Sequence, residues 1–129
     1  MKATNQDNLK ALIKLMKELP NKKLKMDRWN CGTAACIGGW VATLPEFQAM
    51  GGEAIKSGCP VFIDSRSSFI TGGNAVAAFL GIDRKVGIDL CHGRYSEEMD
   101  DDVWSIRPDI PFTEVKPSDV VEVLEQWLD

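Results

Sequence analysis

Trp29-Asn30-Cys31-Gly32-Thr33-Ala34-Ala35-Cys36-Ile37-Gly38-Gly39-Trp40 is the stretch on which the fold reading turns. The run from Thr33 to Leu44 predicts a helix of small residues, with Pro45 just beyond it. Gly38 and Gly39 each cost a helix about 1 kcal/mol relative to Ala, and close approach of another backbone is the usual compensation. Cys36, Gly39 and Ala42 or Thr43 share one nearly bare face, against which a second helix can pack at short distance. Trp29 and Trp40 would plug its two sides. In that account Cys31 and Cys36 are buried, inert packing residues.

Working outward, helical periodicity dominates. Leu9, Leu12, Ile13, Met16 and Leu19 recur at three and four residues and predict an amphipathic helix over 6–19. Asn5 or Asp7 can cap its start, and Pro20 stops it. Residues 74–80 predict a short helix ended by Gly81. Asp83 can cap another over 84–91, giving a tight helical hairpin. Lys116-Pro117-Ser118-Asp119 opens a closing helix with Val120, Val121, Leu124, Trp127 and Leu128 on its inner stripe. All eleven glycines lie between Gly32 and Gly93, so the middle is broken by turns. Val61-Phe62-Ile63 reads as one short buried strand without an evident partner. Residues 93–116 read as an acidic loop, with Pro108 and Pro111 excluding regular structure. The expected fold is mostly α: a small single-domain helical fold over 1–129, with short irregular or β segments in the middle.

With 129 residues the chain can bury roughly two-thirds of its unfolded surface. No apolar run approaches a membrane span, and polar Ala3-Thr4-Asn5-Gln6-Asp7 does not read as a signal peptide. The expected location is therefore the cytoplasm. The net charge of −4 conceals two poles. Residues 1–28 carry eight Lys/Arg against three Asp/Glu, while residues 95–129 carry two against eleven. Lys10, Lys14 and Lys17 fall on one helical face, and Lys22, Lys23, Lys25 and Arg28 extend it. Few aromatics are interleaved, so a stacking platform for nucleic acid is not indicated. The poles serve as solvated faces, and they also allow a salt-sensitive homo-oligomer.

Four cysteines, Cys31, Cys36, Cys59 and Cys91, do not form the two close pairs of a structural zinc site, and no metal or cofactor is expected. A Cys-Gly-Thr entering a helix gathers backbone N–H groups at the positive end of the dipole, a spot that favours anions. Arg28 adds charge there. Arg28, Trp29, Asn30, Gly32, Thr33 and Trp40 are accordingly the candidate ligand-binding residues. The rival chemistry is nucleophilic: Cys31 near a helix start would have a lowered pKa, and its only candidate base is His92, the single histidine. For His92 alone, a cation at a helix end is the simpler role.

Two resemblances bear on this choice. Asn30-Cys31-Gly32-Thr33-Ala34-Ala35-Cys36 is similar to the nucleophile segment of papain-like and bacteriocin-processing cysteine peptidases, over about seven residues. That similarity implies a hydrolase or transferase using Cys31 and His92. Those enzymes carry the base on a strand edge, whereas the periodicity predicts that His92 ends a helix. More broadly, the chain resembles a family of small, mostly uncharacterised phage and bacterial proteins carrying C-G-T-x-x-C-x-x-G-[WH]-A after an upstream Trp. Cys31-Gly32-Thr33, Cys36, Gly39 and Trp40 match that motif, with Val41-Ala42 displacing its small residue by one. Ala75 to Ile82, the helix after Asp83 and the Pro117 helix match later parts, so the resemblance spans 26–128. It implies an α-helical phage or mobile-element protein and no reaction. The expected function is a non-enzymatic binding protein that engages a host protein or sequesters a small anionic, nucleotide-like ligand.

Overall fold

A computed structural model describes residues 1–27, 32, 34–64 and 66–129. Among these, six α-helices are joined by two three-stranded antiparallel sheets. The protein is a mixed α/β fold, so the mostly α, all-helical expectation is wrong.

The helices that sequence periodicity marks most clearly are present. α1 (Gln6–Glu18) buries Leu9, Leu12, Ile13 and Met16. Asn5 stands at its N-cap position but makes no capping bond. Its amide instead donates to the carbonyls of Ala78 and Phe79 at 3.1 and 3.0 Å, and Asn8 donates to Phe79 at 2.8 Å. These two side chains thereby satisfy carbonyls that the end of α4 (Gly72–Leu80) leaves without intrahelical partners.

Gly81 terminates α4 at φ +71°, in the left-handed region. Asp83 then caps α5 (Arg84–Cys91), its Oδ1 accepting from the Lys85 N–H at 2.9 Å. α4 and α5 pack almost backbone to backbone. A Cβ on Gly87 would lie 2.6 Å from the Ala77 Cβ and 2.6 Å from the Gly73 carbonyl oxygen.

α6 (Pro117–Glu125) buries Val120, Val123, Leu124 and, just beyond it, Trp127. Val121 and Leu128, expected on the inner stripe, are only half-buried. α6 packs on α1, and their outer ends are tied by Ala3 N–H to Trp127 O at 3.1 Å and Gln6 Nε2 to the same carbonyl at 3.0 Å.

The middle of the chain departs from the sequence reading. The expected start at Thr33 lies outside the described residues, but Ala34 and Ala35 are not helical, and Ala35 forms a parallel bridge with Leu24. The Lys25 N–H donates to Ala35 O at 3.0 Å and the Ala35 N–H to Lys23 O at 3.1 Å. α2 spans only Ile37–Val41, its glycines supporting no more. Pro45 does not follow a helix but begins one. Leu44 is extended, as a residue before proline prefers, and Pro45 is the first residue of α3 (Pro45–Ala49). The bare helix face is thus short, and the close approach anticipated for it occurs between α4 and α5.

Val61-Phe62-Ile63 does have partners. β2 (Pro60–Ile63) is the centre of a sheet with β1 (Glu53–Ala54) and β3 (Phe69–Thr71). Its Phe62 faces inward to meet Phe47 of α3 edge-on at 6.4 Å, and Phe47 meets Phe79 of α4 at 5.7 Å.

The expected acidic loop is the second sheet: β4 (Gly93–Ser96), β5 (Asp101–Trp104) and β6 (Arg107–Pro111). Pro108 and Pro111 do not prevent this, because β6 is an edge strand in which missing N–H donors are tolerated. The register shifts between Val103 and Trp104. Trp104 is fully buried and donates its indole N–H to the Leu90 carbonyl at 2.7 Å, locking the sheet to the end of α5. No described helix is long and apolar enough to cross a membrane.

Candidate functional site

α5 runs directly into β4, and the junction residue is His92. Its N–H closes the helix on Ile88 O at 3.0 Å, and its carbonyl accepts from the Ser105 N–H at 3.1 Å. His92 therefore ends a helix, as the sequence indicates, and also opens a strand. Beside it opens a cleft of about 440 Å³. His92, Arg94, Tyr95 and Asp102 line it from the sheet side. Met26 and Asp27 line it from the connector, and Phe112 from the turn after β6. The Phe112 ring lies on the bare face of Gly93, where a Cβ would come within 2.7 Å of it. A cleft of this size and mixed lining suits a small ligand.

Two thiols, Cys36 and Cys91, also line the cleft. Cys36 precedes α2, whose Gly39 and Gly38 N–H groups point to it. Burial outweighs that help and pushes the thiol up from near 9.0 to about 11. Complete burial holds the Cys91 thiol well above its ordinary value, with Cys36 and Cys59 nearby adding to it. Burial raises Cys59 as well. These are protonated thiols at neutral pH, poor nucleophiles. Among the described residues no group of three or more His, Cys, Asp or Glu is placed to share a metal ion.

The ligand-binding residues expected from sequence fare unevenly. Arg28, Trp29, Asn30 and Thr33, and the alternative nucleophile Cys31, lie outside the described residues. Gly32 is exposed at φ +94°, and neither it nor Trp40 lines the cleft. The Trp40 indole is committed elsewhere, donating to the Lys23 carbonyl at 2.9 Å. The helix N-terminus expected at Gly32-Thr33 is displaced to Ile37, where its amides face a buried sulfur. Of the flagged residues, His92 and Cys36 do meet in one cleft. Arg94, Tyr95 and Asp102 carry no sequence signal, because only the pairing of β4 with β5 brings them together: Arg94 lies opposite Val103 and Tyr95 opposite Asp102. Phe112 reaches the cleft from the turn after β6.

Comparison with protein-family models, with curated proteins and with solved structures returned no match. The functional reading therefore rests on the chain's own chemistry.

Proposed function

We propose that this chain is a non-enzymatic binding protein, a cytoplasmic phage or mobile-element accessory protein that holds a small anionic, nucleotide-like ligand in the cleft at the α5–β4 junction. The observation that carries this reading is the convergence of Arg94, two aromatic side chains and two carboxylates around one 440 Å³ space. Arg94 supplies a fork of donors for a phosphate. Asp27 and Asp102 accept hydrogen bonds from sugar hydroxyls or exocyclic amines. Phe112 and Tyr95 offer apolar faces to a base. The two carboxylates oppose a highly charged ligand, which favours one phosphate over three. A ligand present at about 100 times its Kd would add about 2.7 kcal/mol of stability. Thermal-shift screening against nucleoside mono-, di- and triphosphates tests this. Stabilisation by a monophosphate that disappears in Arg94→Ala supports it, and no shift with any phosphate-bearing ligand refutes it.

A second reading, a cysteine hydrolase or transferase using Cys31 and His92, is favoured by one observation. Asp27 and Cys36 line the same cleft as His92, and Cys31 lies between them in sequence. That reading predicts one thiol that alkylates much faster than the rest at neutral pH and is lost in Cys31→Ser. Four equally slow thiols would eliminate it. For a host protein as partner, the apolar surface to consider is Ile63 and Phe69. They are paired across β2 and β3, and each is 63% exposed.

A further inference from the structure

The two charge poles occupy two shapes that match. Along α1, Lys10, Lys14, Lys17 and Glu18 rim a groove of about 430 Å³ whose apolar lining comes from Ile13 and Leu128. Lys17 is held at the rim by Glu125 of α6 at 3.5 Å. The opposite pole is the β4–β5 hairpin. Its last pair is Ser96 with Asp101, and the turn between them reads Glu97-Glu98-Met99-Asp100. With Asp101 and Asp102 this places five carboxylates in six residues. Met99 stands among them 44% exposed. The turn is also preformed. The Tyr95 hydroxyl donates to Asp100 Oδ1 at 2.9 Å, and the Asp102 N–H donates to Asp101 Oδ1 at 2.7 Å. Asp100 sits in the left-handed region at φ +50°. A rigid tip loses little conformational freedom on docking.

We infer that the α1–α6 groove is the docking site for the β4–β5 hairpin of a second copy of this chain, with Met99 against Ile13 and Leu128 and the turn carboxylates against Lys10 and Lys14. The argument is complementarity on both counts at once: an exposed Met99 among carboxylates, and a groove lined by Ile13 and Leu128 in which Lys17 is paired with Glu125 and Lys10 and Lys14 outweigh Glu18. The contact is heterologous, one surface on each copy.

Sedimentation velocity of the whole chain tests this at ionic strengths of about 0.01 M and about 1 M, where the screening length falls from about 30 Å to about 3 Å. The weight-average mass is expected to climb above 14.3 kDa with protein concentration at low salt and to return to it at high salt. The paired variants Lys10→Glu/Lys14→Glu and Glu97→Lys/Glu98→Lys should each stay monomeric at low salt. The second of these is diagnostic. It brings the net charge from −4 to zero, which would promote non-specific association. An equimolar mixture of the two should associate again, since an intact hairpin on one meets an intact groove on the other. Met99→Ser should weaken association with every charge retained. Far-UV circular dichroism confirms that each variant folds. Several results would overturn the inference: a monomer at low salt at every concentration, insensitivity to either reversal, or a mixture that fails to re-associate. So would a lysine face whose reversal abolishes DNA binding by a chain that stays monomeric.

Discussion

Replacing Gly87 with alanine puts the close packing of α4 on α5 to the test. The new Cβ would meet the Ala77 Cβ at 2.6 Å, the Gly73 oxygen at 2.6 Å and the Ala77 Cα at 3.0 Å. Favourable non-bonded separations are about 3.5–4.0 Å, so α4 and α5 must separate by roughly 1 Å. Two of the three obstructing atoms belong to backbone and cannot rotate away. Overpacking of this kind costs about 1–3 kcal/mol, and alanine returns about 1 kcal/mol through its better helix propensity. The net expectation is a loss of up to about 2 kcal/mol, which lowers Tm by up to roughly 8 °C in a chain of this length. Thermal unfolding followed by circular dichroism measures it. Ala77→Gly in the same chain removes one of the colliding methyl groups, so the double variant should lose less than the sum of the singles. A Gly87→Ala protein more stable than the parent by the propensity term alone would refute the close approach.

The buried thiols give a pH prediction. Cys36 titrates near 9.0 when unfolded and near 11 when folded. The folded state therefore holds its proton longer, and stability falls as pH rises from about 9 to about 11. At about 1.4 kcal/mol per unit this amounts to at most about 3 kcal/mol, and Cys36→Ala should flatten that part of the stability curve in urea titrations. Cys36 and Cys91 should both resist iodoacetamide at neutral pH until the protein is unfolded, as peptide mapping would show; rapid labelling of either would contradict their burial. Trp104→Phe removes the donor from the Leu90 carbonyl and should cost about 1–3 kcal/mol in chemical unfolding. Asp119→Ala deletes the carboxylate that accepts from the Lys116 N–H at 2.9 Å at the start of α6, an expected loss of about 0.5–2 kcal/mol.

The elements legible in sequence are those whose signals are local. α1 and α6 bury a single stripe each, and the Gly81-Ile82-Asp83 turn carries a left-handed glycine and a capping carboxylate in three residues. The second sheet was not legible because its order comes from pairing. In β6 no residue is fully buried, and in β5 the buried residues are adjacent, Val103 and Trp104, instead of alternating. Period-two alternation therefore never develops. The cleft inherits that difficulty. His92 is legible as the single histidine, and Cys36 only as a packing residue. Arg94, Tyr95 and Asp102 are ordinary surface residues until two strands lie side by side. The small-residue stretch from Ala34 to Gly39 was read as one long helix because nothing local announces the bridge of Ala35 to Leu24.

The tie between Gln6 and the Trp127 carbonyl joins residues 121 positions apart. At 5–20 residues per second, a ribosome needs roughly 6–24 s to travel between them. Throughout that interval Leu9, Leu12, Ile13 and Met16 have been made but the helix that shelters them has not. The nascent chain thus carries an amphipathic segment whose apolar stripe stays partly uncovered until synthesis reaches α6, its main packing partner.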